Sequence, residues 1–139
     1  MVRFRRSAVA GVLIAVLAGA GCTNTPTTPS VTTTAITTVF ASRIVVGGSA
    51  WRSFIQTETS LVTARLAGLS PDEKAVMRIG FGNFDGTTCT STVITVDTAP
   101  DEETPQLTMA LPPGRYCVMI WDIGNLTKLN DFAIFLIQP

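Results

Sequence analysis

From residue 39 to the C-terminus the chain never sustains an apolar stripe at the 3.6-residue spacing of a helix. Short runs of β-prone residues recur instead, most of them closed by Gly, Pro, Asn or Asp and 51–57 by a polar stretch. The runs are 39–46, 51–57, 61–69, 75–81, 92–96, 107–111, 115–122 and 132–137. Short alternating strands at this spacing, with no helix between them, predict an all-β domain: an antiparallel β-sandwich of immunoglobulin or jelly-roll type with about eight strands. Period-two alternation assigns the core. Val62, Ala64 and Leu66 share one face, as do Met77, Ile79 and Phe81, then Leu107, Met109 and Leu111, then Tyr116, Val118 and Ile120. Cys117, Met119 and Trp121 point the other way. In 51–57 the pattern is ambiguous, and Phe54 is placed inside. The last run, Phe132 to Ile137, is apolar on both faces, so its outer face is either covered by loops or left as an exposed patch. Asn83, Asp85-Gly86 and Gly124-Asn125 read as turns, the last as a hairpin.

Composition removes whole classes of chemistry. The 139 residues include no histidine, so no Ser-His-Asp or Cys-His nucleophile and no His-ligated zinc can be assembled. Ten basic residues balance ten acidic ones without a basic stripe, which argues against nucleic acid as a partner. The densest acidic group, Asp97 with Asp101, Glu102 and Glu103, lacks the spacing of a calcium loop and reads as a solvated turn. No two carboxylates are placed as a glycosidase pair. The expectation is therefore a protein with no catalytic residues, no metal site and no cofactor.

The N-terminus carries an address. Arg3, Arg5 and Arg6 precede an uncharged run from Ala8 to Ala20, too short to span a bilayer and of the length of a signal-peptide core. Gly19-Ala20-Gly21-Cys22 resembles the lipobox of bacterial lipoproteins, with Gly19 where that family usually has Leu. The resemblance implies cleavage after residue 21, a diacylglycerol on the Cys22 sulfur and an acyl group on its amine, which together anchor stably. Thr23 in the next position favours, by the same resemblance, delivery to the outer membrane. Of the three cysteines, Cys89 and Cys117 then remain as an even pair, which outside the cytoplasm is expected to form a disulfide. Removing the signal takes three basic residues and no acids, leaving a mildly negative chain.

Residues 23–38 hold nine threonines and two prolines, a composition that cannot bury enough surface to offset its own ordering. The expected organisation is thus a signal peptide at 1–21, a lipidated cysteine and disordered Thr/Pro linker at 22–38, and the β-sandwich at 39–139. The end of the linker, from Thr34, already contains β-formers.

Within the domain, Gly47-Gly48-Ser49 before Trp51-Arg52-Ser53-Phe54, the strand Val62-Thr63-Ala64-Arg65-Leu66, and Pro113-Gly114-Arg115-Tyr116-Cys117-Val118 resemble the bacterial pre-peptidase C-terminal (PPC) domain. The resemblance implies a β-sandwich accessory module of secreted or lipid-anchored proteins. It supports a non-catalytic, envelope-anchored module that contacts protein or serves a structural role, a reading also motivated by the apolar last strand. The alternative is a carbohydrate-binding module. For either, Trp51 and Trp121 are the candidate platform, being large rings with a polar handle.

Overall fold

The computed structural model describes residues 34–139. The signal segment, Cys22 and the linker up to residue 33 lie outside the described residues. Eight strands are present: β1 (Ile36–Ile44), β2 (Ser49–Gln56), β3 (Ser60–Ser70), β4 (Met77–Phe84), β5 (Cys89–Thr98), β6 (Leu107–Leu111), β7 (Gly114–Asp122) and β8 (Asn130–Gln138). They form two four-stranded antiparallel sheets, ordered β1-β8-β3-β6 and β2-β7-β4-β5. Every connection except β4–β5 passes from one sheet to the other. This strand order is that of a jelly roll, so of the two expected sandwich types the second is the one formed.

The alternation seen in the sequence builds the core. Phe40 and Ile44 from β1, Val62, Ala64 and Leu66 from β3, and Phe132, Ile134 and Leu136 from β8 point in from the first sheet. Met77, Ile79 and Phe81 from β4 meet them with Tyr116, Val118 and Ile120 from β7. Phe54 joins this layer half-buried, its ring against both Phe81 and Tyr116. A bulge between Leu66 and Gly68 resets the alternation of β3, which lets Leu69 turn inward as well.

Several boundaries differ from the expected ones, each for a local reason. β1 starts at Ile36, inside the stretch assigned to the linker, because its first residues pair with the end of β8. Asn83 is a strand residue of β4 rather than a turn. The reversal comes at Asp85–Thr88, where the Asp85 carboxylate accepts the N–H groups of Thr87 and Thr88. Gly124-Asn125 is not a hairpin turn, because β7 and β8 lie in different sheets. Asp122 organises that arch instead, its carboxylate accepting the N–H groups of Gly124, Asn125 and Leu126.

The outer face of β8 is neither under a loop nor bare. Ala133, Phe135 and Ile137 are half-buried, and the guanidinium of Arg65 on the adjacent strand lies 4.9 Å from the centre of the Phe135 ring. The long side chain of Arg65 thereby covers apolar surface, its Nε buried without a hydrogen-bond partner and its guanidinium held over the ring face.

Candidate functional site

The outer face of the sheet β2-β7-β4-β5 gathers both tryptophans. Ser49 pairs with Trp121 and Trp51 with Met119, so the two rings stand on adjacent strands, two residues apart along the sheet and on one side of it. Their surroundings follow from β4. Gly80 and Gly82 project no side chain onto this face and leave a bare strip beside β7. Trp121 occupies that strip: a Cβ on residue 80 would lie 3.2 Å from its ring. Trp51 is 40% exposed and packs on Phe84 at 5.6 Å, reaching over β7 to do so. The Arg115 guanidinium sits 5.2 Å from the centre of the Phe84 ring.

Beneath these rings runs the disulfide. Cys89 of β5 and Cys117 of β7 are bonded across the intervening β4, with Cα atoms 5.9 Å apart. Gly82 stands opposite Cys117 in the ladder, so no side chain blocks the crossing. Cys117 is fully buried and Met119 nearly so, although both lie on the outer side of their sheet. The expected cysteine pair is therefore present, and it fixes the strand that carries Trp121.

Next to Trp121 a shallow groove of about 520 Å³ is lined by Arg78, Thr92, Thr95, Trp121, Asp122 and Ile123. Arg78 donates two hydrogen bonds to Asp97, at 2.6 and 2.8 Å, closing a bidentate pair across β4 and β5. That hydrogen bonding and the adjacent positive charge hold the Asp97 carboxyl below its ordinary range. For Asp122 burial acts in the opposite direction, but the backbone N–H groups of Gly47, Asn125, Leu126 and Gly124 outweigh it and lower the carboxyl as well.

Asp101, the other shifted member of the acidic group, is lowered by the N–H groups of Glu103 and Thr104, so its carboxyl is spent on the backbone of its own turn. Every shifted carboxyl among the described residues is lowered, and a general acid working near neutrality needs the opposite. Among the described residues no three Cys, Asp or Glu side chains converge on a metal-sized site.

Only part of this face is visible in the sequence, which singles out Trp51 and Trp121 as large rings and turns Met119 to the same side as Trp121, but does not connect them to Phe84, Arg115 or Arg78. The signal that could have found them is Gly80-Phe81-Gly82: glycines two apart on a strand leave a side-chain-free strip on one face, which a neighbouring ring can fill.

No family model and no curated protein matches the chain. Among solved structures, the fold is similar to that of PliG, a periplasmic lysozyme inhibitor of g-type lysozyme from Aeromonas hydrophila. The TM-score is 0.50 at 11% identity, over 73% of this chain and 86% of the other. At that identity the likeness is one of fold.

Proposed function

We propose that this chain is a non-catalytic lipoprotein of the bacterial cell envelope, tethered through Cys22, whose sandwich recognises another protein with the outer face of the sheet β2-β7-β4-β5. The observation that carries the reading is the convergence of Trp51, Phe84, Arg115 and Trp121 on one disulfide-braced surface. Aromatic residues and Arg are among the types enriched in protein interfaces, and rigid rings bind at low entropic cost. The fold's use in a periplasmic protein that inhibits an enzyme supports the same reading, as does the resemblance of Pro113–Val118 to the PPC accessory module. A g-type lysozyme is accordingly the first partner to titrate.

The test is site-specific photocrosslinking of the full-length protein in its own membrane. The probe goes at Ser53, exposed between Trp51 and Ile55, and, as control, at Thr108 on the outer face of the other sheet. The proposal expects a defined protein adduct from residue 53 and none from residue 108. Absence of any protein adduct at 53 contradicts it. Intact-mass analysis of the same preparation reports whether Cys22 carries the lipid; a chain still beginning at Met1 contradicts the tether.

One observation favours a second reading. The groove beside Trp121 sets an indole next to Arg78, Asp122, Thr92 and Thr95, a mixed aromatic and polar lining that suits a sugar ring. Glycan-array binding lost on Trp121→Ala, with no protein adduct at residue 53, would replace the first reading with this one.

A further inference from the structure

Two four-stranded sheets have four edge strands, here β1 and β6 in one sheet and β2 and β5 in the other. An edge strand offers unpaired N–H and C=O groups to any other extended chain, and most proteins blunt it. Three of these edges are blunted. Arg52 donates to the Val39 carbonyl of β1 at 2.7 Å, and Gln138 donates to the Ile55 carbonyl of β2 at 3.0 Å, so side chains engage both edges. β6 has five residues, is followed at once by Pro112-Pro113, and has Pro105 two residues before it.

β5 has none of these devices. It runs for ten residues without Pro, Lys or Arg. Its irregularities fall towards the Cys89 end, and from Ile94 to Thr98 it pairs in unbroken register with Phe81 to Met77. Its one charge, Asp97, is already held by Arg78. Val93 and Ile94 remain 38% and 37% exposed. Among the described residues no side chain is bonded to the backbone of 92–97.

We propose that β5 is the docking edge for a second copy of this chain, the two β5 strands pairing antiparallel about a two-fold axis at Thr95 to give one continuous eight-stranded sheet. The segment Thr92-Val93-Ile94-Thr95-Val96-Asp97-Thr98 is complementary to itself in that register. Thr95 faces Thr95 of the second copy, Ile94 faces Val96 twice, and Thr92 faces Thr98 twice, all pairs that stabilise a ladder. Asp97 faces Val93, so no two like charges oppose each other, and each Asp97 retains its own Arg78. The register buries Ile94 and Val96 from both copies, and it consumes the open edge of each, so the assembly closes at two. The inference goes beyond the proposed partner surface and does not depend on it.

The test uses the full-length protein with Thr95→Cys, under mild oxidation. Directly opposed residues in an antiparallel pair lie about 4.5–5.5 Å apart at Cα, within the range a disulfide spans. Thr108→Cys, on β6, is the control for random collision. The expected result is a covalent homodimer from Thr95→Cys forming roughly tenfold faster than from Thr108→Cys, the spacing rather than the reactivity being decisive. Equal rates at the two positions overturn the proposal, as does a Thr95→Cys protein that stays monomeric while its tryptophan fluorescence matches the wild type. A mixed disulfide between residue 95 and a different protein also overturns it, since the edge would then serve another chain.

Discussion

Trp121 rests over Gly80, and a Cβ there would lie 3.2 Å from the indole, 2.7 Å from the Ile94 carbonyl and 2.8 Å from the Thr95 methyl. The absence of one side chain thus seats the ring at the centre of the proposed recognition face. Gly80→Ala is expected to destabilise the domain by about 1–3 kcal/mol through overpacking. It should also shift the tryptophan emission. Gly68→Ala is the control, because nothing lies within 4 Å of its added Cβ. Chemical denaturation followed by fluorescence measures both effects; equal stability for the two variants would refute the packing argument.

The Cys89–Cys117 bond closes a loop with a sequence separation of 28. On the chain-entropy estimate this contributes about 3–4 kcal/mol. Cys89→Ser should lose most of that in denaturant titration, and reductant should lower the wild type to the same midpoint. A reductant effect on the wild type with none from the substitution would be inconsistent with this account.

Asn130 is wholly buried at the start of β8 and binds three groups of the surrounding loops. Its Nδ2 donates to the Asp72 carboxylate and to the Lys128 carbonyl, and its Oδ1 accepts the Asp72 N–H. Asn130→Ala leaves that N–H and that carbonyl without their side-chain partner, at a cost of about 1–3 kcal/mol. The loss should appear in thermal unfolding, with faster amide exchange at residue 72.

Stability should be flat from about pH 5 to 8, since the chain has no histidine to titrate there. At the acid end the sign is set by lowered carboxyls. Asp72 is held down by the Thr127 N–H and then by Asn130, Asp85 by the N–H groups of Thr88 and Thr87, and Asp97 by Arg78. Each binds its proton more weakly in the folded state than in the unfolded chain. Their stabilisation is therefore complete above the unfolded value near pH 4 and is lost as pH falls through the folded values. Urea midpoints across the range check this; a decline already between pH 8 and 5 would contradict it.

Much of the sandwich was legible because period-two alternation is strong wherever one face of a strand meets the core. Val62-Thr63-Ala64-Arg65-Leu66 and Tyr116 to Ile120 are of this kind, and so is Leu107–Leu111, whose bounds match the expected run. Asn83 was not legible: a residue with turn chemistry stays in β4, and the reversal waits for Asp85. Gly124-Asn125 misled for a different reason, since local chemistry does not reveal whether the next strand joins the same sheet. The Gly114–Tyr116 step shows the converse. Its pattern stands out in the sequence, and the structure supplies the cause: a Cβ at 114 would stand 3.1 Å from the Tyr116 ring, whose hydroxyl donates to the Pro112 carbonyl. The proposed recognition face was the least visible part, because Phe84, Arg115 and the tryptophans come from three strands distant in sequence.

The measurement that bears most directly on the account is the affinity of Trp51→Ala for the protein captured at residue 53. Trp51 buries more than half of its surface, part of it against Phe84, so its removal should lower the unfolding midpoint moderately while leaving the domain folded. Titration calorimetry is expected to show a loss of about 2 kcal/mol or more, a weakening of roughly thirtyfold, as for an interface hot spot. Unchanged affinity in a folded Trp51→Ala protein would contradict the assignment of this face.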